Sequence, residues 1–446
     1  MKSRNLLIAA VILAALSGVV WWSKRHPEAP ASSTTPPSPK LADIAAAQIK
    51  QIDLRKKDGT RVTIRHENGK WSLTSPEPLP ADQDAINTLT GALNPVTGDS
   101  VVEDKPSDVA KYGLTNPTLT VTVNQVNGKS DHIYFGDDVP AGSLVYARMD
   151  SDRKVYTVSS STKTSLDKNV NDLRDKRLLT FDSNRLTRIE LASAKSDIEF
   201  GKNNQNEWQI VKPQPYRADS FEVEELLRKL SDAKMDLANT TTPDAKKDDG
   251  KKTSAAFASG QPVATANVSD SSGTQSLDVR KNKDDYYAKS SVVKGVYKVS
   301  SDLGKELEKP LESFRNKKIF DFGFSDPSKI EIQQGASDKV YTRSGTDWKV
   351  NNKTMDAGSV QSLIDKLRDL SSTKFLTSGF STPAVTIAVT WNDGKRTDKA
   401  EFAKANDGYI ARRVNEPAEY QLDNKAVSDI LEASNAIKPA ASAAKK

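Results

Sequence analysis

Apolar and polar positions follow two periods along this chain, and these periods predict its strands and helices. Apolar and polar side chains alternate through the first six positions of residues 119–126, which predicts a half-buried strand. A helix-like spacing occurs at Ile86, Leu89 and Leu93. Two further segments carry the same apolar helix face, at Val223, Leu226, Leu227 and Leu230 and at Val360, Leu363, Ile364, Leu367 and Leu370. We therefore expect amphipathic helices embedded among alternating strands.

The same series of sequence motifs occurs three times in the chain, each time in the same order. A tryptophan in a strand-like run comes first, followed by an aspartate that opens an amphipathic helix, a proline before an alternating run, and a closing strand with a tyrosine. The tryptophans are Trp71, Trp208 and Trp348, the aspartates Asp82, Asp219 and Asp356, the prolines Pro117, Pro262 and Pro383, and the tyrosines Tyr156, Tyr297 and Tyr420. The aspartates are evenly spaced, so we infer one module copied in tandem.

These patterns predict an α+β fold of three tandem repeats after one N-terminal transmembrane helix. Each repeat is expected to be a mostly antiparallel sheet with one main helix and a short exit helix. We define module 1 as residues 41–181, module 2 as residues 186–322 and module 3 as residues 328–438. Module 2 is expected to contain a disordered insertion near residues 243–254, because Lys, Asp and Gly dominate there.

The N-terminal segment predicts both the membrane contact and the location of the protein. Residues 6–22 are apolar and would span about 26 Å as a helix, which is near the lower limit for a bilayer. A cleaved signal peptide with a site at Ala15-Leu16-Ser17 is the alternative. We predict a single-pass anchor in the bacterial inner membrane, with residues 1–5 as a cytoplasmic tail. Residues 23–40 then form a Pro-rich linker, residues 439–446 a tail, and the bulk of the chain is periplasmic.

Charge and composition exclude some partners and chemistries. The net charge is +6, and the basic residues are scattered along the chain. Because nucleic-acid binding needs a concentrated basic surface, we expect no nucleic-acid partner. The absence of cysteine excludes disulfides, thiolate catalysis and zinc sites with cysteine ligands.

Catalytic and ligand-binding motifs are not apparent in the sequence. The three histidines are His26 in the linker, His66 in a turn and His132 at the start of a strand, and they form no triad or metal-ligand pattern. No glycine-rich phosphate-binding motif occurs. We therefore predict no catalytic, cofactor-binding or metal-binding residues, no cofactor, and no enzymatic activity.

The repeated residues permit a structural and a functional interpretation. The three tryptophans are expected to anchor the core, and stacking a ligand is their alternative role. The three aspartates are expected to cap helix N-termini. Basic residues at the module exits, Arg174 and Arg177 and then Arg315, Lys317 and Lys318, would neutralise the C-terminus of the preceding helix. Binding an acidic partner is the alternative role of these basic residues.

Several motifs together resemble the bacterial domain of unknown function 4340 family. They include the tryptophan strand at residues 68–73, the helix start Pro80-Ala81-Asp82, the segment Tyr112-Gly113-Leu114-Thr115-Asn116-Pro117 and the pair Phe135-Gly136. Module 2 departs from the pattern, since Phe257-Ala258-Ser259-Gly260-Gln261-Pro262 replaces its Gly-Leu-x-x-Pro element. The resemblance implies a single-pass envelope protein, and some members are similar to accessory components of ABC transporters.

The sequence thus leads to two hypotheses on function. The first is a non-enzymatic, membrane-anchored periplasmic accessory or scaffold protein, an auxiliary component of an ABC-type transport system. Its expected partners are the inner membrane, through residues 6–22, and another envelope membrane protein. The alternative is an envelope hydrolase or glycan-binding protein with an unrecognised carboxylate site. A pocket with two carboxylates of perturbed pKa would favour this alternative.

Overall fold

The structure, a computed structural model, describes residues 38–140, 142–237 and 243–441. The chain divides into two compact units, Met1–Lys176 and Arg177–Lys446. Every strand pair in the sheets of both units is antiparallel. We describe each unit by itself.

The first unit contains a nine-stranded sheet and a separate two-stranded sheet. Its strands are β1 (Lys40–Ala42), β2 (Ile49–Lys56), β3 (Arg61–Glu67), β4 (Lys70–Ser75), β5 (Leu79–Pro80), β6 (Val96–Thr97), β7 (Ser100–Glu103), β8 (Leu119–Gln125), β9 (Ser130–Asp138), β10 (Leu144–Met149) and β11 (Asp152–Ser159). Its helices are α1 (Gln83–Gly91), α2 (Ser160–Leu166) and α3 (Val170–Leu173), with short 3₁₀ turns at Ala46–Gln48 and Ala110–Tyr112. The large sheet has the order β5-β4-β3-β2-β8-β9-β10-β11-β7, and β1 pairs with β6.

The first sheet of the second unit has eight strands. They are β12 (Arg188–Ser193), β13 (Asp197–Lys202), β14 (Trp208–Lys212), β15 (Tyr216–Arg217), β16 (Gln261–Asp270), β17 (Gly273–Asn282), β18 (Asp285–Ser290) and β19 (Val296–Val299). The accompanying helices are α4 (Ser220–Ser231), α5 (Pro243–Ala258), α6 (Ser301–Leu307) and α7 (Leu311–Phe314). The strand order is β15-β14-β13-β12-β16-β17-β18-β19.

The second sheet of this unit has nine strands. They are β20 (Lys329–Gln334), β21 (Ser337–Ser344), β22 (Asp347–Val350), β23 (Lys353–Thr354), β24 (Lys374–Leu376), β25 (Val385–Trp391), β26 (Arg396–Ala405), β27 (Gly408–Arg413) and β28 (Glu419–Leu422). Helices α8 (Ala357–Asp369) and α9 (Asn424–Asn435) accompany them. The order is β23-β22-β21-β20-β25-β26-β27-β28-β24.

The three large sheets share one topology, which confirms that the chain is built from repeated modules. In each sheet four strands run outward in reverse chain order, the chain passes through a helix, and four more strands continue from the other side of the first strand. The pairs that join the two halves are β2–β8, β12–β16 and β20–β25. The module boundaries given above remain a prediction. Leu178 and Leu179, which we counted with module 1, lie in the apolar core of the second unit.

Local sequence explains how these elements begin and turn. Strand β8 buries every second residue, as its alternation predicts. Asn68 and Gly69 both have positive φ, which suits the tight turn between β3 and β4. Helix α1 buries Ile86 and Leu89 in the core of the first unit. The second unit has two apolar clusters, one under each sheet, and Tyr216 packs against both.

The fold-class prediction is wrong as stated. Strands hold 44% of the structure and helices 21%, so antiparallel sheets dominate the fold. Each strand meander is longer than the sequence pattern suggested, and module 3 ends in the 12-residue helix α9 instead of a short exit helix. Among the described residues, no helix is both long enough and apolar enough to cross a membrane. The predicted transmembrane segment, residues 6–22, lies outside the described residues.

The expected disordered insertion near residues 243–254 also needs correction, because the chain there forms helix α5. The C-terminal part of α5, Ala255-Ala256-Phe257-Ala258, favours a helix through its alanines. Phe257 is buried, and the Arg280 guanidinium lies 4.6 Å from its ring centre. Packing of this helix end outweighs the high charge of the segment that precedes it.

Candidate binding site at the junction of modules 2 and 3

The repeated tryptophans are core residues, as the sequence predicted. Trp71, Trp208 and Trp348 lie on the matching strands β4, β14 and β22, and each is exposed by 9% or less. The side chain of Gln83, at the start of α1, accepts a hydrogen bond from the backbone N–H of Trp71 at 2.9 Å. The same side chain donates a hydrogen bond to the backbone carbonyl of Trp71 at 3.0 Å. Strand β4 is thereby tied to the helix that packs on it.

The repeated aspartates are helix N-caps, which also confirms the prediction. Asp82 accepts hydrogen bonds from the backbone N–H groups of Asp84 and Ala85. Asp219 caps α4 in the same way, and Asp356 accepts one bond from the N–H of Ser359 in α8. These carboxylates satisfy donors that a helix start would leave unpaired, so they are accounted for structurally.

Two histidines lie among the described residues, and both have structural neighbours. The His66 ring lies 4.7 Å from the Trp71 ring, measured between centres. His132 is half-buried, and its Nδ1 is 2.9 Å from the Thr122 hydroxyl. His26 lies outside the described residues. Across residues 38–140, 142–237 and 243–441, no group of three or more His, Asp or Glu side chains is placed to hold a metal ion.

A largely buried ion-pair network joins modules 2 and 3 around Glu416. The Arg413 Nε donates to Glu416 Oε1 at 2.7 Å, and the Arg217 Nε lies 2.9 Å from the same oxygen. The Tyr420 hydroxyl donates to Glu416 Oε2 at 2.8 Å. Arg217 comes from β15 of module 2, whereas Glu416 and Tyr420 belong to module 3. One carboxylate therefore forms ion pairs with arginines of both modules, and its hydrogen bonds come from Arg413 and Tyr420.

The C-terminal end of module 2 takes part in this junction network. Arg413 donates to the Ile319 carbonyl through Nη1 and to Asp398 Oδ1 at 2.9 Å through Nη2. Arg217 donates to the Lys318 carbonyl and contacts Asp321 Oδ2 at 3.3 Å. The arginines thus satisfy backbone acceptors at the end of module 2 as well as carboxylates. We call Arg217, Asp321, Asp398, Arg413, Glu416 and Tyr420 the junction network.

Electrostatics at the junction keep Glu416 ionised. Burial is the largest single influence and pushes the pKa of Glu416 upward, but the charges of Arg217 and Arg413 outweigh it and the net pKa is lowered. Burial raises the pKa of the Tyr420 hydroxyl. A carboxyl group in this environment is ionised at neutral pH and pairs with two cations, and it does not have the raised pKa of a general acid.

A cleft of about 420 Å³ opens beside the junction network. Its walls include Trp208 of module 2 and Trp391 of module 3, and Arg396 lies across the Trp391 ring at 5.1 Å. Arg396 also pairs with Glu207 of module 2 at 2.8 Å. We call this the junction cleft. Aromatic walls with paired charges suit a neutral, polar ligand better than a strongly charged one.

A different environment surrounds Arg315, at the exit of module 2. Its guanidinium carbon lies 4.0 Å from the centre of the Tyr216 ring and 3.7 Å from that of Phe375. The residue is 7% exposed, and its Nε meets no acceptor among the residues that the structure describes. Cation–π contacts contribute up to about 2 kcal/mol each when desolvated, whereas removing an unpaired ion from water costs several kcal/mol. Burial accordingly lowers the pKa of Arg315.

The remaining basic exit residues have different roles. The Lys318 Nζ donates to the Arg368 carbonyl at 2.9 Å, close to the C-terminus of α8. We predicted neutralisation of the preceding helix, but this lysine serves the helix that follows it in the chain. Lys317 is exposed, and Arg177 forms a β-bridge with Lys234. The prediction that these residues neutralise the preceding helix is therefore not confirmed for Lys318.

Sequence reasoning missed the junction network entirely. Arg217 and Glu416 are far apart in the chain, and neither occupies a repeated position. Tyr420 was noticed as the closing tyrosine of module 3, but only as a strand residue.

Comparison with known proteins identifies a family and little else. The family described as Domain of unknown function (DUF4340) matches residues 71–207 and again residues 208–387. No protein of curated function matches the chain. Among solved structures, the crystal structure of the DNA polymerase sliding clamp from Pseudomonas aeruginosa with ligand aligns with 86% of this chain and 93% of its own. The identity is 6% and the TM-score 0.16, so this similarity supports no argument about fold or function.

Proposed function

The chain belongs to the family Domain of unknown function (DUF4340), and from this premise we propose that it is a non-enzymatic accessory or scaffold protein that binds another protein of the bacterial envelope. The junction network carries the proposal. Arg217, Arg413 and Glu416 hold modules 2 and 3 together, and these buried charges are used for assembly. Modules fixed to each other in this way offer one extended surface, which suits a protein partner.

The titration behaviour of the carboxyl groups supports a role without catalysis. A general acid at neutral pH needs a raised pKa. Among the described residues, every Asp or Glu with a clearly shifted pKa has it lowered. In the junction cleft, burial pushes the pKa of Glu207 upward, but hydrogen bonds from Asn203 and Arg396 outweigh it. These carboxylates act as hydrogen-bond acceptors.

The role implied by the family resemblance fits within this proposal. We propose an auxiliary component of an ABC-type transport system, with a membrane-embedded permease as the partner. Exposed aromatic side chains on the second unit give positions from which to test this. Phe324 is 98% exposed and Phe221 is 73% exposed.

Photo-crosslinking in intact cells tests the proposed function. A benzophenone amino acid would replace Phe221 or Phe324, and Lys395, an exposed polar turn residue, would be the matched control position. We expect one reproducible protein adduct from at least one of the two aromatic positions and none from the control. If neither position gives an adduct, and the purified chain degrades an envelope polymer, the proposal is wrong.

Glycan binding is a second candidate function, and the junction cleft favours it. Trp208 and Trp391 contribute aromatic walls, and the paired Arg396 and Glu207 offer both donors and acceptors to hydroxyl groups. Titration with soluble glycan fragments, followed by tryptophan fluorescence, separates the two functions. A saturable change that Trp391→Phe weakens would favour glycan binding. The protein-binding proposal predicts no saturable change.

A further inference from the structure

Arg315 is a buried charge that the junction network does not use. Arg217 and Arg413 each meet carboxylates directly, whereas Arg315 has neither an ion pair nor a side-chain hydrogen bond among the described residues. Glu312 and Glu416 influence it only through space. An ion taken out of water without a partner is costly, and native structures rarely keep one without a use.

The surroundings of this guanidinium determine how a ligand could reach it. The Tyr216 and Phe375 rings both lie against the guanidinium, with their centres 4.0 and 3.7 Å from its carbon. The Nε is enclosed, so the edge formed by Nη1 and Nη2 remains for an acceptor. A planar carboxylate binds such an edge with two parallel hydrogen bonds. The rings exclude water from the faces, and the lower local dielectric strengthens the pairing.

The first unit contains the same arrangement of backbone and arginine. Arg174 forms a β-bridge with Ala81, just before helix α1, as Arg315 does with Ala218 before α4. The Nε of Arg174 is also buried without an acceptor among the described residues. The module therefore places an arginine with an unsatisfied Nε at its exit twice, which points to a recurring use of this position.

We propose that Arg315 is a docking point for a carboxylate of the protein partner, bound at the edge of the guanidinium between Tyr216 and Phe375. The inference rests on the proposed function, because the partner supplies the carboxylate. It also names the chemistry of that partner, which presents an Asp, a Glu or a C-terminal carboxylate at the exit of module 2. A free phosphate ion is the other oxyanion source that the test separates.

The first experiment measures oxyanion binding by the full-length chain. Arginine Nε–H signals in proton–nitrogen NMR spectra are followed during titration with sodium acetate, with sodium phosphate and with sodium chloride at equal ionic strength. We expect a saturable shift of the Arg315 signal with acetate, none with chloride, and a weaker response to phosphate. Arg315→Lys keeps the charge but lacks the two-pronged guanidinium edge and has no Nε–H signal to follow, so acetate binding is measured there by melting temperature, and the acetate-induced rise should be lost. Arg228→Lys is the control, since exposed Arg228 already pairs with Glu225.

The second experiment asks whether Arg315 is there for binding or only for packing. Because its charge is unpaired, Arg315→Met should leave the melting temperature unchanged or raise it, while abolishing the rise that acetate causes in the wild type. No acetate response in the wild type, together with a lower melting temperature for Arg315→Met, would mean that the guanidinium only packs the junction. A response to phosphate alone would overturn the assignment to a carboxylate.

The proposed function and this inference can fail separately. Capture of a protein partner from Phe221 or Phe324, equally efficient in the wild type and in Arg315→Lys, would overturn the docking role and leave the proposed function standing. Acetate binding at Arg315 without capture of any protein would overturn the partner assignment. Capture that falls several-fold in Arg315→Lys but not in Arg228→Lys supports the inference.

Discussion

Three tryptophans at matching strand positions show how single residues hold each module together. Trp71 is 9% exposed, and its backbone is bound at both N–H and carbonyl by the Gln83 side chain. Replacing a buried large aromatic by alanine removes its packing and leaves a cavity. The buried tryptophan therefore contributes measurably to the free energy of unfolding of the first unit.

Trp71→Ala is expected to lower the free energy of unfolding of the first unit by about 3–5 kcal/mol. Urea unfolding of the full-length chain, monitored by circular dichroism, measures this change. Val126→Ala is the control, because Val126 is 66% exposed. A loss below about 0.5 kcal/mol for Trp71→Ala, a value typical of surface substitutions, would contradict burial.

Glu416 gives the junction a defined pH dependence. Its pKa in the folded chain is below the ordinary value, because Arg217 and Arg413 outweigh burial. The stability that its ionised form contributes is therefore complete above the unfolded pKa of about 4.3 and is lost as the pH falls through the lower folded value. Lowering the pH into the acid range should therefore destabilise the second unit through this residue. Raising the pH from the unfolded pKa to neutral should leave its contribution unchanged.

Glu416→Gln is expected to destabilise the second unit by about 3–5 kcal/mol at pH 7, because two arginines lose their shared anion. It should also flatten the fall in stability between about pH 5 and pH 3. Urea unfolding at several pH values measures both effects. Glu312→Gln, on an exposed residue of α7, is the control. An unchanged acid slope in Glu416→Gln would show that this carboxylate does not titrate as argued.

At the scale of elements, helix N-caps and the spacing of apolar residues allowed many helices and strands to be predicted from the sequence. Asp82, Asp219 and Asp356 could be predicted as caps because a cap is a local event, settled within three residues of the helix start. The class of the fold could not be predicted in this way, because the length of each strand meander depends on pairing between strands. Helix α5 was missed because the burial of Phe257 depends on tertiary contact with a later strand, β17, through Arg280.

Asp219→Ala is expected to cost about 1 kcal/mol of stability in the second unit, because two backbone N–H groups at the start of α4 lose their acceptor. Asp219→Ser should keep most of this stability, since a serine hydroxyl is an equivalent cap. Thermal unfolding of both variants measures the difference. Equal losses for alanine and serine would indicate that the aspartate acts through its charge.

At the scale of the whole molecule, the second unit contains two modules that depend on a few buried charges for their connection. The sequence suggested the repeat, since its signals recur at even spacing, but it could not predict the junction. Arg217 and Glu416 belong to different modules and come together only when both are folded. Such contacts are set by tertiary packing and leave no periodic trace in the chain.

If modules 2 and 3 act as one protein-binding body, loosening their junction must weaken partner capture, and photo-crosslinking of the Arg217→Met variant measures this. Arg217 links module 2 to Glu416 of module 3, whereas Arg228→Met removes an exposed arginine of α4 and serves as the control. We expect Arg217→Met to reduce partner capture several-fold at both Phe221 and Phe324, while the control captures as the wild type does. Undiminished capture at both positions in Arg217→Met, with the junction shown to be loosened by calorimetry, would contradict it.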